Sequence, residues 1–245
     1  MRIDGRGVHY KVLNEKIHQA LASGEDEIIL DYVNGQRYIA DAVQSKSLRL
    51  VVNGTPGNDL AAFMDGPTVT VHSNAQDAVG NTMNDGKIVI HGDAGDIVGY
   101  AMRGGVIYIK GNAGYRVGIH MKAFKDSQPV IVIGGRAGNF LGEYMAGGLI
   151  ILLGLENGEK KSPVGTFVGT GMHAGKIYIR GQVQNYQLGK EIRPFPIEEE
   201  DRKELLPYLQ EFSTHFGYAI DELLKGPFVK LLPYTHRPYG KLYAY

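Results

Sequence analysis

GDAGDIVGYAMRGGVIYIK, residues 92–110, is the fullest copy of a segment that recurs every 19 residues from Gly35, Gly54, Ser73, Gly92 and Gly111. Two more copies begin at Gly135 and Gly154 after short insertions, and Gly181 closes the array. A Gly-rich repeat of this length, ending in alternating apolar residues, builds a solenoid in which each copy is one coil. With the first residue of each copy as position 1, position 8 reads Ala42, Ala61, Gly80, Gly99, Gly118, Gly142 and Gly169. Position 11 reads Ser45, Met64, Met83, Met102, Met121, Met145 and Met172, so six of the seven methionines share one column. Positions 16 and 18 are apolar in every copy, from Leu50 and Val52 to Ile177 and Ile179, while positions 15, 17 and 19 are mixed. That period of two beside turn residues predicts a half-buried strand.

Coils stacked at the strand spacing of about 4.8 Å turn each column into a ladder through the interior. Glycine or alanine at position 8 permits a tight turn with φ > 0. The methionine ladder fills an irregular core, since thioether-only metal sites need softer company such as thiolates. Left-handed β-helices are built from hexapeptides, and 19 is not a multiple of six. The expected fold is therefore all-β: a right-handed parallel β-helix of about seven coils. A helical N-terminal cap and a C-terminal helical extension flank it. The expected division is a cap over 1–34, the β-helix over 35–190, and a helical, Tyr-rich extension over 191–245.

At the N-terminal end, Tyr10, Leu13, Ile17, Ala20 and Leu21 have helical spacing and Gly24 supplies a stop, followed by a strand over Glu27–Val33. At the other end, Leu205, Leu209, Phe212 and Phe216 share a helical face, with Pro207 expected to kink or restart that helix. A second short helix is expected over Ala219–Lys225. The acidic run EEED (198–201) suits a helix start, where the dipole favours carboxylates. The tail FVKLLPYTHRPYGKLYAY carries Tyr234, Tyr239, Tyr243 and Tyr245 among basic residues. It has the composition of a contact surface, to cover the last coil or to dock on a partner.

Charge and composition exclude several classes. The chain holds 26 Lys plus Arg and 26 Asp plus Glu, a balance that does not suit a nucleic-acid partner. No apolar run is long enough to cross a bilayer and the N-terminus lacks a signal-peptide stretch, so no membrane partner and a cytoplasmic location are expected. There is no cysteine, which removes disulfides, thiolate nucleophiles and Cys-held zinc or iron–sulfur clusters from this chain.

The remaining motifs read as structure. GTGMHA (169–174) matches the dinucleotide fingerprint but precedes a strand, KIYIR, where that site needs a helix. His72 and His91 share position 19 on adjacent coils with no third ligand, an exposed polar ladder. His120 and His173 have no evident nucleophile or carboxylate partner. The insertions KAFKDSQP (122–129) and LENGEKKSP (155–163) carry lysines and can serve as contact loops or as plain loop variation. No catalytic, cofactor-binding or metal-binding residue is assigned.

The runs GNAGYRVGIHM, PVIVIGGRAGNFLGEYMAGGLIILLGL and VGTFVGTGMHAGKIYIRG resemble the GXGXG domain of the glutamate synthase large subunit, a right-handed β-helix. The resemblance covers roughly residues 28–190, and IDGRGVHYKVLNEKI with DYVNGQRYIAD resembles its free-standing form. It implies a non-catalytic structural subunit that holds a glutamine amidotransferase and an FMN-binding synthase subunit, which together convert glutamine and 2-oxoglutarate to glutamate. FMN and the iron–sulfur cluster are expected on the partner subunit, none in this chain. Similar repeats occur in the C subunit of formylmethanofuran dehydrogenase and in N-methylglutamate synthase, which are the alternative complexes. A homo-oligomer, including a self-assembling β-helix, and an enzyme acting on its outer strand face are the remaining alternatives.

Overall fold

The computed structural model describes residues 1–155 and 162–234. Position by position, the repeat dictates its geometry. Nine strands run parallel in chain order: β1 (Arg2–Asp4), β2 (Glu27–Asn34), β3 (Arg49–Thr55), β4 (Asp65–Val71), β5 (Asp85–Ile90), β6 (Val106–Ile109), β7 (Val130–Ile133), β8 (Ala146–Leu152) and β9 (Ala174–Arg180). Residues 19 apart pair directly, as in Ile88 with Ile107 and Ile90 with Ile109. Seven copies supply the seven strands β3 to β9, and those bound about six turns of a parallel β-solenoid, one fewer than the copy number suggested. We number the coils 1 to 7 from Gly35, Gly54, Ser73, Gly92, Gly111, Gly135 and Gly154.

The inward columns behave as their spacing predicts. All fourteen residues at positions 16 and 18 and all six methionines of position 11 are fully buried, which makes the thioether ladder a packing element. Position 8 faces position 16 of the following coil. A Cβ on Gly99 or Gly118 would lie 2.5 Å from Ile131 Cδ1 or 2.6 Å from Ile150 Cδ1, and both glycines have φ near +70° (68° and 72°). The glycine column thus makes room for the isoleucine column. Position 14 glycines seat the methionines in the same way: a Cβ on Gly105 would meet Met83 Cε at 2.5 Å.

Positions 2 and 5 carry a second kind of ladder. Asp77 Oδ1 accepts from Asp96 N at 2.9 Å, and Asp96 Oδ1 from Tyr115 N at 2.8 Å. Asn74, Asp93 and Asn112 repeat the pattern at position 2, accepting from Asp93, Asn112 and Arg136 amides. These side chains occupy the space that a side chain on Gly92 or Gly95 of the next coil would need. Each of these turn amides is satisfied by a side chain of the coil before it, which stiffens the stack.

The first copy departs from the columns expected for it. Ala40 and Val43 are buried at the position-8 and position-11 sites, whereas Ala42 is exposed and Ser45 half-buried. Ala61 N bonds to Ile39 O where Gly80 N bonds to Leu60 O in the next coil, so copy 1 runs two residues early. The surplus is absorbed at Ser45–Ser47, where Ser45 Oγ accepts from Leu48 N and turns the chain back into register.

Both ends carry added elements. Helix α1 (Tyr10–Ala22) buries Leu13, Ile17 and Ala20 in the main core. At the far end the sheet order continues β9, β11 (Phe228–Pro233), β10 (Ile192–Pro196), both pairings antiparallel. Edge strand β10 carries Pro194 and Pro196, which have no amide to offer a further strand. The start of the aromatic tail therefore covers the last coil. Its remainder, with Tyr239, Tyr243 and Tyr245, lies outside the described residues.

Helix α2 (Glu199–Phe216) runs unbroken through Pro207, against the expected kink or restart. Its cost is met by docking: Leu205 and Leu209 flank the proline and both are buried against the sheet. The short helix α3 (Ile220–Leu224) follows the Gly217 left-handed cap, within the span expected for it.

Candidate functional site

Helix α2 lies across the outer face of β5 to β9 and makes a second core there. Val89, Tyr108, Val132, Ile151 and Tyr178, all at position 17, are buried against Leu205, Leu209 and Phe212. These positions were expected to be mixed and half exposed. The signal for burial on both sides was the unbroken apolar character of VIVI (130–133) and LIILL (149–153).

The polar groups of this face are organised by the helix. Tyr178 Oη donates to Asp201 Oδ1 at 2.5 Å and lies 2.7 Å from Glu204 Oε2. Lys176 reaches both Glu204 oxygens at 2.9 Å, and Lys230 of β11 donates to Asp201 at 2.6 Å. Asp201 also accepts from the Glu198 amide at the helix start, so the acidic run anchors α2 as well as meeting its dipole. One helical turn from the C-terminus, Glu211 bonds Lys87 and accepts from Tyr108 Oη at 2.7 Å.

Burial and the neighbouring carboxylates push both tyrosine hydroxyls far above their ordinary range. Burial opposes the charge on Asp201 and Glu211. Their lysine and tyrosine partners outweigh it, and both carboxyls sit below the ordinary value. Burial, then His72, Lys110 and His215, lowers the His91 imidazole. The pH dependence follows from these signs. The carboxylates stabilise the fold above about pH 4, and that contribution is lost as pH falls through their depressed values. Neutral His91 stabilises it above about pH 6.5 and that part is lost on acidification. The two tyrosines stabilise it below about pH 10, with loss as pH rises. Melting temperature is expected to be level from about pH 7 to 9 and to fall on both sides. Glu211→Gln should flatten the acid limb; an unchanged limb would remove this assignment.

The candidates singled out from sequence take structural places. The His72 and His91 rings lie 4.8 Å apart at a tilt, and His91 meets Phe216 of α2 edge-on at 5.3 Å, so this pair is partly covered and not a bare ladder. Gly169 sits in the glycine column against Ile192, and β9 follows GTGMHA, so the fingerprint has no helix behind it. His173 is half-buried beside Gly171 O, while His120 is exposed and stacks on Tyr144 at 5.2 Å. Residues 122–129 close a small hairpin through mutual Phe124 and Ser127 backbone bonds. Most of the second insertion, 156–161, lies outside the described residues. Among the described residues no group of three or more His, Asp or Glu is arranged to hold a metal, and no helix is long and apolar enough to cross a membrane.

The opposite face, built from positions 5 to 10, is the one with exposed chemistry. Positions 6, 8 and 10 have φ > 0 in coil after coil, and bulky residues occupy several of them: Arg116, Phe140, Tyr144 and Phe167. Such a conformation is uncommon for aromatic residues. Phe140 stacks on Phe167 at 4.9 Å, and the Arg116 guanidinium lies 4.6 Å above Phe140 while pairing with the buried Glu143 carboxylate. Sequence reasoning missed this surface, because the repeat was read for what points inward.

A model described as the GXGXG motif matches residues 28–233. An uncharacterized protein of Methanocaldococcus jannaschii, MJ1350, is 50% identical over 251 residues, spanning 99% of this chain and 95% of its own. Among solved structures, a chain of the formyltransferase/hydrolase complex (FhcABCD) of Methylorubrum extorquens, determined with methylofuran, superposes with a TM-score of 0.64. It is 24% identical over 84% of this chain and 72% of its own, a likeness of fold.

Proposed function

Because this chain belongs to the GXGXG motif family, we propose that it is a non-catalytic structural subunit of a glutamate synthase-type complex. In this reading it holds a glutamine amidotransferase and an FMN-dependent synthase subunit at a fixed separation. The observation that carries the reading is the match of the repeat array to that family across residues 28–233. The physical basis is stiffness: each coil is bonded to both neighbours by strand pairing and by the Asx ladders, so a solenoid of this kind transmits position over its length. The partner subunits would bring the flavin and the iron–sulfur cluster.

Two alternatives lose ground on the geometry. An enzyme using its outer strand face needs that face open to substrate, and over β5 to β9 α2 covers it with paired lysines, tyrosines and carboxylates. A polymer built by end-to-end stacking needs a long free strand edge, and the two edge strands here are the three-residue β1 and the proline-bearing β10. The equivalent subunit of a formyl-transferring complex is the second reading, supported by the fold shared with the FhcABCD chain.

Purification of the tagged chain from native extract decides among them. An amidotransferase and an FMN protein recovered in fixed ratio, with glutamine-dependent glutamate formation, support the first reading. Recovery of formyl-transferring or hydrolase subunits supports the second, and recovery of neither type overturns both.

A further inference from the structure

The chain is neutral as a whole, yet its charge is divided along the solenoid axis. Residues 56–100 hold six aspartates and one lysine; residues 101–137 hold six Lys plus Arg and one aspartate. The change of sign falls within single columns, position 6 on the exposed face and position 12 at its edge. Position 6 has Asp59 in coil 2 and Arg116 in coil 5, and position 12 has Asp65 in coil 2 and Lys122 in coil 5. All four side chains are at least partly accessible.

We infer that this face is the dimer interface for a second copy of the chain, packed with its solenoid axis antiparallel. A two-fold axis lying in the face, perpendicular to the solenoid between coils 3 and 4, makes every column meet itself in reverse. Coil 2 then lies on coil 5 of the second copy, setting Asp65 against Lys122, Phe63 against His120, and Asp59 against the Arg116 guanidinium that also holds Glu143. Coil 1 lies on coil 6. Exposed Ala42 at position 10 leaves room for Tyr144, and Tyr38 at position 6 meets Phe140. At the centre, Ala78, Thr82 and Ala101 are small, which permits close approach. Both copies have the same rise per coil, so a register correct at one rung stays correct along the face. The exposed aromatics on these rungs, Tyr38, Phe63, Tyr100 and Tyr144, supply the apolar area, and the charges supply direction. A parallel arrangement would set like charge on like.

Analytical ultracentrifugation of the full chain at micromolar concentration tests the arrangement. A closed dimer is expected at low salt, weaker at about 0.5 M where exposed pairs are screened. Asp65→Lys and Lys122→Asp should each raise the dimer Kd by about tenfold or more, and the double variant should recover most of the loss. Tyr144→Asn is the independent variant: asparagine tolerates its φ of 53°, so the fold is kept while the aromatic contact with Ala42 is lost. It too should weaken the dimer about tenfold. Melting curves confirm that each variant is folded. A monomer at low salt, open-ended oligomers, single reversals that dimerise like the parent, or a double variant no better than its singles would each overturn the assignment.

Discussion

Replacing Gly118 by valine is expected to destabilise the solenoid by about 2–5 kcal/mol, combining a left-handed backbone cost of about 1–2 kcal/mol with overpacking of about 1–3 kcal/mol. Gly118 has φ of 72°, and its missing Cβ would sit 2.6 Å from Ile150 Cδ1 in the fully buried strand column. Coils on both sides are bonded to coil 5, so there is no cheap shift that widens the gap. Gly118→Ala should cost less, because Ala40 and Ala61 occupy the equivalent sites of coils 1 and 2 with φ near 60° (61° and 59°). Combining Gly118→Ala with Ile150→Val should then recover part of the loss, since valine at position 16 is what coil 2 already uses in Val69. Urea unfolding measures all three. A valine variant within about 1 kcal/mol of the parent would show that the glycine column is not set by the facing isoleucines.

The second large effect is expected at Phe212→Ala, with a loss of about 3–5 kcal/mol. Phe212 is fully buried between α2 and the sheet and contacts Phe216 edge-on at 4.6 Å. Its ring also fills the space beside Gly134, 2.8 Å from where a Cβ would stand, so nothing nearby collapses into the void. The loss should be uneven. The main core is a separate cluster inside the coils, so the solenoid is expected to persist while α2 loosens. Hydrogen exchange should therefore rise over 199–216 well before the paired amides of β5 to β9 lose protection. Uniform exchange across the chain would mean that the two cores unfold as one.

Where sequence reading succeeded, the physics was local and repeated. A 19-residue period, a small residue at position 8 and a methionine at position 11 each recur enough times that chance alignment is excluded, and from coil 2 onward each found its place. Where it slipped, a single copy or a single contact decided the outcome. Coil 1 lacks a methionine, so nothing marked Val43 rather than Ser45 as its core residue. Pro207 breaks helices on average, but buried neighbours on both sides hold this one together. The aromatic residues at positions 6 and 10 were legible as letters. Their exposure on one surface, and the opposed charges along it, needed the coil geometry to become visible.

The amino-acid sequence by itself determined the parallel solenoid, because a column repeated at the strand spacing leaves the chain one way to bury its apolar positions. It also determined that these 245 residues hold no disulfide and no thiolate ligand or nucleophile. Only the tertiary structure decided which outer face is covered. That depends on a helix more than 100 residues from the first strands it packs on (Lys87 and Glu211 are 124 apart), and no local pattern encodes a pairing over such a distance.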